Sequence, residues 1–496
     1  MKKIEKIILI FFIFLIIFFL GKDLLPTNDY FFPFHDTTQA ARIEQFTKEL
    51  KKLNIPPRIA SDMNFNLGFP IFNFYAPTAY WITSLINLII LDPITSLKIS
   101  FLSTIILSFL FSFIFYRNFF NFYSSLIGGI IYSTCLYIAS NIFVRGNLAK
   151  VWFIALFPLT LNFIYKNSQK YNKKYFFTTS LLIFLLLTTH NIYSLLIIPF
   201  LLIYIFINKN VKINILSLIF GFFLSSYFWI PLFFEAKYIW GKEIAILTNY
   251  KDHFLCIRQL WDYPWGFGTS KETCQADTMS FQIGKFQIIF FLCGFILLII
   301  NFLKNIKNKN FDKKYLSHIF FAGSTLFFLF LTHHKSIFFW NLFSNYLSVI
   351  QFPWRFIGLS IIGLGFMTSY FFNNIKIKIN KKCLILILSI LIISINEEYF
   401  FGQRITNTDF KEKYLSKKYI EKESAYGAQE HLPKTINYQK WLSLNKLDDN
   451  SINKEIKKLS IKPFSKNKQT QLQKYSNYIT ILSFIFLLFF LKIKKT

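Results

Sequence analysis

The sequence predicts an all-α polytopic membrane protein. Of its 496 residues, 54% are hydrophobic and 16% are charged, whereas a soluble domain of this length carries about a quarter charged residues. Its mean hydropathy is +0.41. Apolar runs of roughly 18 or more residues recur along the chain, and only a bilayer accommodates so many of them. Clusters of lysine separate these runs, as is typical of short cytoplasmic loops.

The lysine clusters determine the predicted topology. Lysines at the start of the chain place the N-terminus inside. Residues 77–91 are short for a span and are expected to lie in the membrane interface, because a crossing there would move every later lysine cluster outside. The chain then crosses a plasma (inner) membrane about 12 times with both termini in the cytoplasm. The predicted spans are about 7–20, 97–116, 122–140, 151–165, 175–189, 191–207, 213–234, 284–303, 315–332, 356–372, 383–396 and 476–491.

The predicted domains follow from these spans. Residues 1–396 form a transmembrane domain, with outer loops at 21–96 (including interfacial helices) and 235–283. Residues 397–475 form a small extracytoplasmic segment that is expected to pack on the membrane region or to be partly disordered. Residues 476–496 supply the last span and a basic cytoplasmic tail. The first apolar run is interpreted as an uncleaved helix, because no small-residue cleavage pattern follows it.

The distribution of charge argues against a nucleic-acid partner, and two of the cysteines share a loop in which a disulfide could form. The formal net charge is +30, but no basic stretch coincides with a nucleic-acid-binding motif, so no nucleic-acid partner is expected. Cys256 and Cys274 share one predicted outer loop and would form a disulfide if that face is oxidising. The other three cysteines lie in apolar segments and fit buried packing.

The first outer loop carries the leading candidates for chemistry. Asp36, beside His35, would serve as a general base or hold a divalent cation against a phosphate; the alternative is a helix N-cap before the helical pattern that follows. Arg145, in the sequence VRGN at a membrane edge, would bind phosphate or snorkel to the interface. Arg42 and Arg58 lie in the same first loop as Asp36.

Further candidates lie at helix ends. His190 has apolar neighbours at a predicted hinge between two spans, where a functional ionisable group and a histidine satisfied by a carbonyl are equally plausible. Arg355, in QFPWRF, would reach headgroup level and hold a lipid phosphate or anchor its helix. The loop around Trp261 and Trp265 is rich in aromatic residues, which stack on sugars and on lipid tails alike.

Several motifs occur together in one order. They are HDTTQAARIE at 35–44, IPPR at 55–58, GFPIFNFYAP at 68–77, VRGNLA at 144–149, TH at 189–190, PWGFGTS–MSFQIG at 264–284 and FPWRF at 352–356. As an ordered set over roughly 20–360, they resemble the membrane proteins labelled 6-pyruvoyl-tetrahydropterin synthase-related, which are similar to YfhO-type and other GT-C membrane glycosyltransferases. The label does not imply pterin chemistry, since this chain has no zinc-binding histidine cluster.

The resemblance implies a GT-C-like helical bundle that takes its sugar from a polyprenyl-phosphate-linked donor. Asp36 would be the catalytic acid or base, assisted by His35 and His190, with Mg²⁺ or Mn²⁺ as a cofactor only if Asp36 holds one. A glycan, lipid or protein would be the acceptor at the outer face. The expected donor phosphate ligands are Arg145, Arg355, Arg42 and Arg58, and the expected sugar and lipid groove is lined by Tyr75, Trp81, Trp261 and Trp265.

One position departs from the family pattern. There an acid often follows the RG-x-x-A run, whereas this chain has Lys150. If that acid assists a metal, this protein works without one or binds its donor differently. The alternative class is a transporter or flippase for lipid-linked saccharides, or a non-catalytic membrane protein; a transporter would show internal repeats and ionisable groups near the midplane, and the sequence shows no repeat.

Overall fold

A computed structural model describes residues 2–245, 249–307, 314–444, 451–452, 454–455 and 469–492. The protein is predominantly helical, at 74%. The predicted basic tail at 493–496 and part of the predicted segment 397–475 lie outside the described residues. The α-helices are Lys3–Leu20, Gln39–Lys51, Ile71–Phe74, Thr78–Ile90, Pro93–Tyr116, Phe122–Ser133, Leu136–Ala139, Leu148–Gln169, Lys173–Leu187, Asn191–Ile207, Val211–Leu224, Ser226–Glu235, Gly241–Ala245, Ile257–Trp261, Lys285–Lys307, Lys314–Leu331, Ile337–Leu342, Ser344–Leu347, Ile357–Asn374, Lys381–Asn396, Asn407–Tyr414, Tyr438–Leu444 and Gln471–Lys492.

The prediction of a multi-pass helical membrane protein is confirmed, but the number of twelve spans is not. Among the described residues, 6 helices are long and apolar enough to cross a membrane, or up to 7 if a bent pair is one span. The six are Pro93–Tyr116, Phe122–Val144, Leu148–Gln169, Lys285–Ile306, Pro353–Asn374 and Gln471–Lys492. The bent pair, Val211–Leu224 and Ser226–Tyr238, turns by 64° where the sequence predicts one straight span. Two predicted spans are shorter apolar helices, Asn191–Ile207 and Tyr315–Leu331, and these account for part of the difference.

The membrane helices pack closely where small residues face each other. Helix Ile357–Asn374 lies against Phe122–Ser133, and a Cβ on either Gly128 or Gly365 would stand 2.6 Å from the other residue's carbonyl oxygen. Such small residues let helix backbones approach in a bilayer, where dispersion contacts replace the hydrophobic effect as the main driving force. The close crossing fixes the position of the preceding segment, Pro353–Phe356, which carries Arg355.

The described part of the C-terminal segment packs on the first loop, which follows helix Lys3–Leu20. Strand Tyr30–Phe31 pairs antiparallel with strand Ile405–Thr406. Next to this sheet, the buried Asp23 carboxylate accepts hydrogen bonds from Arg404 at 2.6 Å and from the Gly402 amide at 3.1 Å. Phe410 and Trp441 of the segment belong to the same buried core as the membrane helices. The segment is therefore packed on the first loop and on the helical core wherever the structure describes it.

The loop at 235–283 packs against this segment. Ile239 and Pro433 form an isolated antiparallel bridge, and the Trp240 amide donates to the Leu432 carbonyl at 3.0 Å. Cys256 and Cys274 form a disulfide within the loop. The first loop, this loop and the C-terminal segment thus lie together at one end of the helical bundle.

Candidate active site

The first loop and the VRGN turn are joined by backbone hydrogen bonds. The His35 amide donates to the Val144 carbonyl and the Asp36 amide to the Arg145 carbonyl, each at 2.9 Å. Gly146 has φ +63°, and a Cβ there would strike the ring of Phe34, so the turn requires glycine. These contacts place the Asp36 carboxylate beside the Arg145 side chain, two groups that are far apart in sequence.

The FPWRF motif supplies the other side of this centre. The guanidinium carbon of Arg145 lies 4.3 Å above the ring of Trp354, which is buried. Arg355 donates to the Ile350 carbonyl at 2.6 Å, and its own carbonyl accepts from the Tyr193 hydroxyl at 2.6 Å. Among the described residues, the Nε atoms of Arg145 and Arg355 are buried without a hydrogen-bond partner. Both arginines therefore keep a donor free for a bound anion.

Lys150 is a third basic group at this centre. Its side chain is fully buried, and its Nζ lies 4.7 Å from the centre of the Trp354 ring and 3.4 Å from the Tyr137 hydroxyl. Arg145 and Lys150 thus lie over the ring of one tryptophan, Arg355 is the next residue in the chain, and Asp36 is the nearby carboxylate. Buried charge of one sign is costly unless it is compensated, so this arrangement favours an anionic ligand.

A cavity of about 940 Å³ opens at this centre. His35, Asp36, Arg145 and Arg355 line it, so the structure brings these four side chains to one space. The loop at 235–283 and the C-terminal segment complete its wall. Their contributions are Lys237, Ile239, Gly241, Lys242, Glu243, Ile244, Thr269, Ser270, Met279, Glu430, His431 and Lys434.

Asp36 is held in its ionised form. Its side chain is 29% exposed, and Oδ1 lies 3.6 Å from Nδ1 of His35. Burial alone would raise the pKa of this carboxyl, but the neighbouring imidazole of His35 and the charges of Arg145 and Arg42 outweigh it and leave the pKa below its ordinary value. An ionised carboxylate accepts a hydrogen bond or a proton directly, because it carries no proton of its own.

The structure places Arg42 and Arg58 differently from each other. Arg42 is buried behind Asp36, where it donates to the Tyr80 hydroxyl at 3.2 Å and lies 5.4 Å from the Tyr75 ring. Arg58 does not line the cavity: it donates to Asn73 at 2.7 Å and to the Tyr227 carbonyl and Asn477 at 2.9 Å each. Arg42 acts on the site through its charge, and Arg58 ties the first loop to the last helix.

His190 lies next to the cavity rather than in its wall. It caps helix Asn191–Ile207, with its Nδ1 accepting from the Tyr193 amide at 3.4 Å, and it is 7% exposed. The next two residues, Asn191 and Ile192, line the cavity. The cap therefore fixes the start of the helix that borders the site.

The four predicted groove aromatics do not come together. Tyr75 lies beside Arg42, whereas Trp81 lines a separate groove of about 600 Å³ against the last helix. Trp265 packs on Tyr399 with ring centroids 5.2 Å apart, and Trp261 is 40% exposed. Near the cavity, the aromatic residues of the wall are Phe74, Phe352 and Trp354.

The residues present do not fit a metal ion held by protein ligands alone. Over the described ranges, no three His, Cys, Asp or Glu side chains come together as ligands. Asp36 is flanked by His35 and by arginines, which repel a cation. We therefore derive no catalytic step through a metal.

Sequence reasoning missed His431 and gave Lys150 no role in the site. His431 lies in a polar stretch without any motif, so no local signal distinguishes it. Lys150 was visible as a departure at the RG-x-x-A run, but its burial against Trp354 depends on a contact across 204 positions of the chain.

An apolar groove of about 770 Å³ adjoins the cavity. It runs between helices Asn191–Ile207 and Lys314–Leu331, and Ile192 and Val349 line both spaces. Its wall is almost wholly aliphatic and aromatic, including Leu195 and Phe320. The polar cavity and the apolar groove therefore meet at one junction, formed by Ile192 and Val349.

Residues 72–248 match the model of the 6-pyruvoyl-tetrahydropterin synthase related domain, a membrane protein family. The match confirms the resemblance that the motifs predict, and it includes Arg145 and His190. The HDTT stretch at 35–38 and the FPWRF stretch at 352–356 lie outside the matched range. Among curated proteins, none matches this chain.

Solved structures with a similar fold include an archaeal oligosaccharyltransferase. The apo crystal structure of the Archaeoglobus fulgidus enzyme aligns with a TM-score of 0.50 and 11% identity, covering 97% of this chain and 64% of that chain. A complex of the same organism's oligosaccharyltransferase with an inhibitory peptide and a dolichol-phosphate aligns with a TM-score of 0.36 and 12% identity, over 97% of this chain and 64% of that chain. This chain thus spans less than two thirds of that enzyme, and the likeness is one of fold.

Proposed function

We propose that this protein is a membrane glycosyltransferase that moves a sugar from a polyprenyl-phosphate-linked donor to an acceptor on the outer face of the membrane. One observation carries the proposal: a cavity lined by Asp36, Arg145 and Arg355 meets an apolar groove at Ile192 and Val349. A lipid-linked phosphate also joins an apolar part to a charged part: its tail is apolar and its head group is charged. The fold shared with an oligosaccharyltransferase is one that hosts such chemistry, although fold alone does not fix function.

Different residues would bind the lipid tail, bind the phosphate and accept the proton. The tail would lie in the apolar groove, and Arg145 and Arg355 would bind the phosphate through the Nε–H groups that lack a partner among the described residues. Asp36 would take the proton of the acceptor hydroxyl or amide as that group forms a bond to the anomeric carbon. In the same step the bond from that carbon to the phosphate oxygen breaks, and the polyprenyl phosphate leaves with the bonding electron pair. Its extra negative charge would be stabilised by the same arginines and by Lys150.

The experiment is a donor screen with matched variants. Purified protein is incubated with a pool of polyprenyl-phosphate sugars, with and without Mg²⁺ or Mn²⁺, and bound carrier and released polyprenyl phosphate are followed by mass spectrometry. We expect wild type to capture a carrier and Asp36→Asn to retain capture while carrier release falls at least about 100-fold, the contribution typical of a general base. Asp29→Asn removes an exposed carboxylate of the same loop outside the cavity and serves as the control.

Each result bears on a different part of the proposal. Full activity in Asp36→Asn would remove that carboxylate from the mechanism. Failure of well-folded wild-type protein to bind any carrier would overturn the donor site itself and would favour a non-catalytic membrane protein, because a transporter for lipid-linked saccharides would also bind a carrier.

A further inference from the structure

His431 lies in the part of the cavity wall that the C-terminal segment supplies. It ends the short helix Tyr426–His431, and the chain beyond it is fixed by the Ile239–Pro433 bridge and by the Lys434 amide, which donates to the Tyr238 carbonyl at 2.8 Å. The imidazole stacks on Phe74, with ring centroids 6.3 Å apart and an angle of 17° between the planes. Its position is therefore set by packing from three separate parts of the chain.

The imidazole is buried but has no hydrogen-bond partner. It is 7% exposed, and both Nδ1 and Nε2 lack a partner among the described residues. The nearest carboxylate oxygen, Oε1 of Glu430, is 3.7 Å from Nε2, which is beyond hydrogen-bonding distance. Buried polar groups are almost always paired in native proteins, and one that lines a cavity is paired when a ligand fills it.

The chemistry of this wall fits a hydroxyl group. A neutral imidazole presents one donor and one acceptor, as a sugar hydroxyl does. Burial lowers the pKa of His431, which the charge of Glu430 opposes and that of Arg42 reinforces, so the ring is neutral near pH 7. Glu430 and Lys434 beside it add further polar groups, and Phe74 offers an apolar ring face. The basic residues Arg145 and Arg355, by contrast, lie where the phosphate is proposed to bind.

A chain of contacts links this wall to Asp36. His431 and Tyr75 have ring centroids 6.3 Å apart, and the Arg42 guanidinium lies 5.4 Å from the Tyr75 ring. The charge of Arg42 acts on both Asp36 and His431. A saccharide attached to a phosphate at Arg145 and Arg355 would therefore extend past Asp36 toward His431.

We propose that His431 is a specificity-determining residue that hydrogen-bonds a hydroxyl of the donor sugar, so that the C-terminal segment forms the sugar-recognition wall of the cavity. This inference rests on the proposed function. It assigns a role to a segment that the sequence leaves without one, and it separates sugar recognition by His431 from phosphate binding by the arginines.

The test compares carriers with and without a sugar. Purified protein in lipid nanodiscs is titrated with undecaprenyl phosphate and with undecaprenyl phosphate bearing glucose, mannose, galactose or N-acetylglucosamine. We expect wild type to prefer one sugar-bearing carrier over bare undecaprenyl phosphate. His431→Phe keeps the ring on Phe74 and removes both nitrogens; we expect it to bind that carrier about tenfold more weakly, the effect of losing one hydrogen bond of about 1.4 kcal/mol, and to bind the bare carrier unchanged.

Controls separate the outcomes. His334→Ala removes an exposed histidine that does not line the cavity, and we expect both affinities to stay as in wild type. Unchanged affinity of His431→Phe for the preferred carrier would overturn the inference, as would an equal loss for bare and sugar-bearing carriers or a wild type that does not distinguish them. Folded wild type that binds no undecaprenyl phosphate at all would instead overturn the proposed function on which the inference depends.

Discussion

At the scale of single residues, the site combines a low-pKa carboxylate with an excess of basic groups. Asp36 lies near Arg145, both Arg145 and Lys150 lie over the ring of Trp354, and Arg355 lines the same cavity as Asp36. A protein that bound no anion here would gain stability by replacing one of these bases. A ligand whose negative charge offsets these bases would account for their presence together.

Lys150 offers a test in which binding and stability move in opposite directions. In Lys150→Met, a flexible apolar chain replaces a buried base that lies near Arg145 and Arg355, so we expect a higher Tm but about tenfold weaker binding of undecaprenyl phosphate. Thermal unfolding and titration of the purified variant measure the two effects. Lys98→Met is the matched control: its buried Nζ donates to the Asn28 carbonyl at 2.7 Å, so its loss should lower stability by about 1–3 kcal/mol. A lower Tm in Lys150→Met would contradict the prediction.

The pH dependence of transfer provides a second test at this scale. Because the pKa of Asp36 is lowered, its base form persists as pH falls and is lost only below the ordinary aspartate value of about 3.9. Carrier release should therefore show no acid limb from Asp36 between about pH 7 and pH 5. In Arg145→Gln, part of the charge that lowers this pKa is gone, so an acid limb should move toward higher pH. Rate profiles of the two proteins that have the same shape would argue against Asp36 as the base.

At the scale of elements, the C-terminal segment is held to the first loop by one small sheet and one buried carboxylate. Asp23 accepts from Arg404, from the Gly402 amide and from the Tyr30 hydroxyl, the last at 3.3 Å. The sheet at Tyr30–Phe31 and Ile405–Thr406 lies between these contacts. The position of the wall that carries His431 depends on this junction.

Loss of the junction should release the segment. In Asp23→Ala, the buried Gly402 amide loses its partner, so we expect a destabilisation of about 1–3 kcal/mol and faster limited proteolysis within 397–444. The comparison is Glu397→Ala, which removes a partly exposed ion pair with Lys22 that contributes about 0–1 kcal/mol. Equal protease resistance in the two variants would show that Asp23 does not hold the segment.

At the scale of the whole molecule, the site exists only where distant parts of the chain meet. The first loop, the VRGN turn, the FPWRF segment, the loop at 235–283 and the C-terminal segment each contribute to one cavity. The apolar groove joins this cavity at Ile192 and Val349. We infer that a lipid-linked substrate reaches the cavity sideways from the membrane rather than from water.

A bulky residue at the junction should block long lipid tails selectively. We expect Val349→Trp to weaken binding of undecaprenyl-phosphate sugars by about tenfold, whereas binding of a water-soluble glycosyl phosphate without a tail stays unchanged. Leu342→Trp adds the same side chain at a position that is 75% exposed and lines neither space. Equal binding of both probes by wild type and Val349→Trp would contradict lateral entry.

The sequence by itself determined the membrane class and much of the basic end of the site. Apolar runs of span length and the scarcity of charge leave no other class, because hydration of so much apolar surface is too costly. Asp36, Arg145 and Arg355 could be singled out because each stands beside a membrane edge with a recognisable motif around it. Arg58 and Trp81 carried the same local signals, yet the structure places both away from the cavity.

Only the tertiary structure decided which of these residues meet. Helix periodicity and charge rules describe each segment alone, whereas the contacts of Lys150 with Trp354 and of His431 with Phe74 join segments separated by hundreds of residues. The number of spans shows the same limit: hydropathy counts apolar runs, but packing decides that 211–238 bends by 64° and that several apolar helices stay short. Long-range packing, which local patterns do not encode, brings the HDTT, VRGN and FPWRF motifs and His431 together at one cavity.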